Sequence, residues 1–152
     1  MTLPVQLSTV DDTRAYGAKL ADVLRAGDLV VLAGPLGAGK TALAQGIGVG
    51  LGVPGPVVSP TFVIARVHRG GRLPLVHVDA YRLGSFAEVD DLDLEVDGAD
   101  SVLVVEWGRG KVEQLTDSHL EIELARAPDS ETRTLTLRPR GGDWVERVAA
   151  LG

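Results

Sequence analysis

The chain has no cysteine and no asparagine, three lysines against twelve arginines, and no long hydrophobic run. Without cysteine there are no disulfides, no thiolate metal sites and no cysteine nucleophile, although this absence names no compartment. Without asparagine there is no Asn-Lys-x-Asp segment to read guanine, and Asp-x-x-Gly is missing too, so a GTP switch is set aside. No apolar stretch approaches the roughly 20 residues that span a bilayer. The opening MTLPVQLSTVDD lacks the basic-then-apolar pattern of a secretory signal. The expectation is a soluble, cytoplasmic protein. A net charge of -6 weighs against unaided nucleic-acid binding, which needs a dominant basic face, so any nucleic-acid role is indirect.

What is present describes a globular chain. Its 152 residues, 45% hydrophobic and 24% charged, suit one domain over residues 1–152 with a buried core. The abundance of Gly, Ala, Val and Arg reads as compositional bias, so glycine-rich matches require supporting context.

A short extended piece, LPVQL, is followed by a capping pattern in which Ser8 and Thr9 precede Asp11 and Asp12 by three residues. The helix TRAYGAKLADVLRAGD comes next, with Ala15, Ala18, Leu20, Ala21, Val23 and Leu24 near helical spacing and Gly27 at its end. LVVLA is too uniformly apolar for a half-exposed strand and predicts a central parallel one. TALAQGIGVGL keeps helical spacing despite its glycines. FVIARVH and RLPLVHVD predict a hairpin around RGG, and a short helix is expected from Ser85, with Glu88 completing its capping pattern. SVLVVEW predicts a second buried strand, HLEIELA and RTLTLRP an antiparallel pair, and DWVERVAAL a closing helix. The expected fold is α/β, a P-loop NTPase-like sandwich whose central, mostly parallel sheet is extended by antiparallel strands.

GPLGAGKT, residues 34–41, matches G-x-x-x-x-G-K-[ST] between an apolar strand and a helix. At this chain's own Gly, Lys and Ser/Thr frequencies, a chance match has a probability of roughly half a per cent. Gly34, Gly37 and Gly39 allow positive φ and close backbone approach. Successive N–H groups of Leu36, Gly37, Ala38, Gly39, Lys40 and Thr41 can then face phosphate oxygens, aided by the positive end of the following helix. Lys40 reaches the β and γ phosphates, and the Thr41 hydroxyl suits Mg²⁺.

Two acids end strand-like runs, Asp79 after LPLVHV and Glu106 after SVLVV, where open α/β sheets bind ligands. Spacing leaves open which of them meets the metal. Thr61 in SPTF stands where a hydroxyl can sense a γ-phosphate, and Arg82 is either a surface residue or a stabiliser of developing phosphoryl charge. His77 and His119 read as structural, because no Cys or second His is spaced for a metal site. The acidic run EVDDLDLEVDGAD is a solvated face or a dock for a basic partner.

A small-molecule kinase shares the strand, phosphate loop and helix, but it needs an acceptor pocket and an arginine-bearing lid, for which the strand-rich second half offers no obvious candidate. A nucleotide sensor without hydrolysis is a further alternative. GPLGAGKT, SPTF, HVDAYRL and VVEW, in this order over about residues 28–107, resemble the TsaE (YjeE) family, the ATPase partner in tRNA threonylcarbamoyladenosine synthesis. The resemblance implies slow, partner-activated hydrolysis of ATP with Mg²⁺. It also implies the partners TsaB and TsaD, of which TsaD transfers the threonylcarbamoyl group to N6 of adenosine 37 in tRNAs that read codons beginning with A. The ATP cycle would reset or remodel that complex, and tRNA would be met only indirectly. By the same resemblance Thr41 and Glu106 hold the metal, Asp79 serves hydrolysis through water or through contacts behind the metal ligands, Thr61 belongs to a switch-like loop and Trp107 stands beside the metal ligand. Thr9 and Arg133 would lie near the adenine. Gly108 departs from the proline that many members carry after VVEW, which loosens that turn without removing a ligand.

Overall fold

The computed structural model describes residues 3–35, 39–54, 57, 65–79, 100–106, 118–126, 130 and 132–151, with only the backbone of Leu3, Ala65 and Asp79. SPTF, Arg82, the helix expected from Ser85 and Trp107 lie outside these residues, as do Leu36, Gly37 and Ala38 and all of the acidic run except Asp100. The strands are β1 (Leu3–Leu7), β2 (Leu29–Ala33), β3 (Ala65–His68), β4 (Leu75–Asp79), β5 (Val102–Glu106), β6 (His119–Arg126) and β7 (Arg133–Arg140). The helices are α1 (Val10–Ala21), α2 (Lys40–Leu51) and α3 (Trp144–Ala149).

LVVLA forms β2, buried along its whole length and hydrogen-bonded in parallel to β5 on one side and β6 on the other. A strand enclosed on both faces and both edges has no solvated position, which is why its sequence does not alternate. The seven-stranded sheet has the order β1-β7-β6-β2-β5-β4-β3. Its four inner strands β6, β2, β5 and β4 run parallel, whereas β3, β7 and β1 extend it antiparallel. On β7 the apolar residues face inward, and Arg138 and Arg140 reach diagonally across to Glu123 and Glu121 of β6 at 2.8 and 3.5 Å.

Helices α1 and α2 cover one face of the sheet, where Leu20, Leu24, Leu43, Ile47 and Leu51 pack against Val30, Leu32, Leu75 and Val104. The two helices meet almost backbone to backbone. A Cβ on Gly17 would stand 2.5 Å from the carbonyl oxygen of Leu43, one on Gly50 2.5 Å from that of Ala18, and one on Gly46 closer still to that of Arg14. The glycines that lower the helix propensity of TALAQGIGVGL are therefore what lets α2 lie so near α1.

Thr9 caps α1, its Oγ1 accepting from the Asp12 N–H at 3.1 Å, as the capping pattern predicts. The far end differs from expectation, because α1 stops at Ala21 rather than at Gly27. There the chain tightens into three-residue turns, Asp22 N–H to Lys19 O, Val23 N–H to Leu20 O and Leu24 N–H to Ala21 O. The Arg72 guanidinium, from the β3–β4 hairpin, donates to the carbonyls of Ala21 and Leu24 at 2.6 and 3.2 Å. A cation on the last carbonyls also suits the negative end of the helix. Gly27, at φ 87°, instead turns the chain into β2.

The closing helix α3 buries Trp144 in the same core. Its Arg147 lies 3.8 Å from the Trp144 ring centroid and grips Asp28 with both terminal nitrogens, at 2.6 and 3.1 Å. Asp28 enters β2, so this clamp sits at the opposite end of the strand from GPLGAGKT. No helix among the described residues is long and apolar enough to cross a membrane.

Candidate functional site

Strand β2 delivers the chain to Gly34, whose φ of 136° turns it away from the sheet against β6. A Cβ on Gly34 would collide with the Leu124 carbonyl oxygen, so both the conformation and the space demand glycine. The loop closes at Gly39, φ 105°, the N-cap of α2, where no side chain caps the helix. The first turn of α2 carries no acid, in contrast to Asp11 and Asp12 of α1. Its leading N–H groups and the positive end of the helix dipole thus meet no acid of the helix's own first turn, as suits an anion site.

Lys40 is 5% exposed and folds back over the loop entrance, its Nζ donating to the carbonyls of Gly34 and Pro35 at 2.7 and 2.9 Å. The ammonium is thereby fixed at the β2–α2 junction. Thr41, the next residue, points its Oγ1 at Glu106 Oε1, 3.5 Å away across 65 residues of sequence. Glu106 is 5% exposed at the end of β5, and Asp79 at the end of β4 is its Cα partner in the parallel register. The two acids that spacing singles out thus end neighbouring strands on the loop side of the sheet.

Arg133 also reaches this region. It is buried on β7, and its Nε and Cδ lie 3.5 and 3.8 Å from where a Cβ on Gly39 would stand. Arg133 is the register partner of Leu7, two residues before Thr9, so Thr9 follows β1 at the β7 end that carries Arg133. Of the residues expected from the sequence, Gly39, Lys40, Thr41 and Glu106 converge, Asp79 is level with Glu106 by its backbone, and Arg133 borders the loop.

Sequence reasoning missed one member. His77, expected to be structural, is fully buried and places Nε2 2.5 Å from Glu106 Oε2. The signal was a polar residue two before Asp79 in an otherwise apolar inner strand. Its register with Val104 sets it on the face of the sheet that carries Glu106, and a buried imidazole needs a partner.

A family model described as threonylcarbamoyl adenosine biosynthesis protein TsaE matches residues 7–135, from the end of β1 into β7. The chain belongs to the TsaE family. It is 57% identical over 138 residues to the tRNA threonylcarbamoyladenosine biosynthesis protein TsaE of Streptomyces coelicolor, covering 87% of this chain and 93% of that one. To the protein of the same description from Mycobacterium tuberculosis it is 50% identical over 139 residues, covering 86% and 83%. In three dimensions it is similar to the crystal structure of Bacillus subtilis YdiB, with a TM-score of 0.82, 30% identity and coverage of 99% and 94% of the two chains. The fold expected from the sequence, a mostly parallel central sheet with antiparallel extensions, is the one found. The TsaE match takes in Lys40, Thr41, His77, Asp79, Glu106 and Arg133, whereas α3 lies beyond it.

Proposed function

We propose that this protein binds and hydrolyses Mg-ATP as an accessory of tRNA threonylcarbamoyladenosine synthesis, acting in the cytoplasm as one P-loop domain. The observation that carries the reading is the approach of Thr41 Oγ1 to Glu106 Oε1 at 3.5 Å beside the buried Lys40. Both are hard oxygen donors, and their spacing is near the roughly 3 Å edge between adjacent ligands of an octahedral Mg²⁺. Few protein ligands are needed, because Mg²⁺ keeps waters and shares the phosphates. When bound, the ion neutralises charge on the β and γ phosphates.

In this reading Lys40 and the N–H groups of residues 36–41 hold the phosphates of ATP, and Thr41 and Glu106 hold the metal. Asp79, level with Glu106, orients the attacking water. Thr61 senses the γ-phosphate, and Thr9 with Arg133 border the nucleotide on the β1–β7 side. The protein does not transfer the threonylcarbamoyl group; its cycle resets the complex of TsaB and TsaD, and tRNA is met only through that complex. Slow hydrolysis alone and faster hydrolysis with partners is the behaviour of such an accessory.

The test is ATP turnover by the purified chain, alone and with TsaB and TsaD, beside a screen for phosphoryl transfer to small acceptors. Stimulation by the partners is expected. Tight binding without hydrolysis in every mixture would replace the reading with a nucleotide sensor, and a phosphorylated acceptor would replace it with a kinase. Glu106→Ala is expected to slow Mg²⁺-dependent hydrolysis about 100-fold, the rate equivalent of losing a few kcal/mol of charge stabilisation. Nucleotide affinity in excess EDTA should stay near that of the unaltered chain. Equal losses with and without metal would show that Glu106 supports the fold rather than the ion.

A further inference from the structure

The phosphate loop and its acids leave one buried polar residue unexplained. His77 is 0% exposed within β4, on the same face as Leu75 and between register partners Val104 and Arg66. Its Nε2 meets Glu106 Oε2 at 2.5 Å, while its Nδ1 is buried with no hydrogen-bond partner among the described residues. A hydrogen on Nδ1 would be an orphaned buried donor, so the network assigns the hydrogen to Nε2, which donates to Glu106. A residue chosen for packing alone would be apolar here, as are the buried neighbours Leu75 and Val104, and would strand no ring nitrogen.

The consequence falls on Glu106. The last torsion of a glutamate is broad, and its two oxygens are interchangeable unless something distinguishes them. The His77 hydrogen bond occupies Oε2 and leaves Oε1, the oxygen 3.5 Å from Thr41 Oγ1. We infer that His77 is a positioning residue, which locks the Glu106 carboxylate so that one defined oxygen faces the Thr41 hydroxyl and, with it, the divalent cation of the bound nucleotide. The inference deepens the Mg-ATP reading and rests on it. Hydrogen-bonded support of this kind is worth about 10–100-fold in metal affinity where it has been removed from other sites.

The test uses a fluorescent ATP analogue, mant-ATP, titrated with Mg²⁺ and separately bound in excess EDTA. His77→Phe, which fills the space without a donor, is expected to weaken Mg²⁺ binding by the mant-ATP complex about 10-fold or more and to leave affinity in EDTA unchanged. His77→Gln, which restores an N–H donor, is expected to recover most of the loss. Unchanged Mg²⁺ affinity in His77→Phe would overturn the inference, as would equal weakening with and without the metal. If mant-ATP binding by the unaltered chain ignored Mg²⁺, the Mg-ATP reading itself would fail, an outcome distinct from a normal response that His77→Phe leaves intact. A measurement that leaves His77 itself unaltered is the nitrogen spectrum of the protein's imidazoles. With only three histidines in the chain, His77 can be assigned by replacing His68 and His119. The hydrogen is expected on Nε2, and a ring carrying it on Nδ1 would overturn the inference.

Discussion

Replacing Lys40 with alanine is expected to lower ATP affinity, and turnover with it, by about 10²–10⁴-fold, measured by titration calorimetry and by phosphate release. Each hydrogen bond to a charged group contributes about 1.5–3 kcal/mol, and the ammonium addresses two phosphates in a mostly buried setting, so two such bonds give that range. The lysine has a second task visible in its contacts, since it ties the carbonyls of Gly34 and Pro35 together at the loop entrance. Alanine would lose this tie as well as the charge. Lys40→Arg is expected to fail almost as badly, because a planar fork cannot replace a compact ammonium in a slot lined by two carbonyls. The helix seam and the sheet are untouched by either change, so both variants should unfold cooperatively and within a few degrees of the unaltered chain. Turnover unchanged by Lys40→Ala would refute the phosphate-loop assignment.

The largest effect on stability is expected from Gly46→Ala. On an exposed helix this change stabilises by about 1 kcal/mol. At residue 46 the new methyl would run into the Arg14 carbonyl oxygen of α1, and a backbone group cannot step aside as a side-chain tip can. Overpacking of this kind costs about 1–3 kcal/mol and at times more. A rigid neighbour puts the cost at or above the upper end, so a net loss of about 2 kcal/mol or more is expected. For a chain of this size that lowers the melting temperature by about 4–8 °C or more, readable by circular dichroism. Val49→Ala, on the same helix but 72% exposed, is the control and should move the midpoint little. A Gly46→Ala protein as stable as its parent would mean that α1 and α2 can separate at small cost.

Much of this molecule is legible along the chain because its signals are local. LVVLA as a central strand, the glycine-rich loop, the cap at Thr9 and the β3–β4 hairpin each depend on neighbours a few residues apart. The acids Asp79 and Glu106 could be picked out because each ends an apolar run, the place where parallel strands expose their carboxyl ends. The expectation that α1 continues to Gly27 missed because periodicity continues past Ala21. Past Ala21 the chain tightens into three-residue turns, and Arg72, some fifty residues on, holds the carbonyls of Ala21 and Leu24 there.

The same division holds at the site. Order along the chain determined the strand, the loop, the helix and the two strand-end acids, since local sterics and burial suffice to specify them. The tertiary structure decided that Thr41 faces Glu106, that His77 holds the other oxygen of that carboxylate, and that glycines in α2 answer the backbone of α1. Those relations rest on the register between β4 and β5 and on the closeness of two helices. Both are set by how separate faces pack in three dimensions, and no spacing within a single segment encodes them.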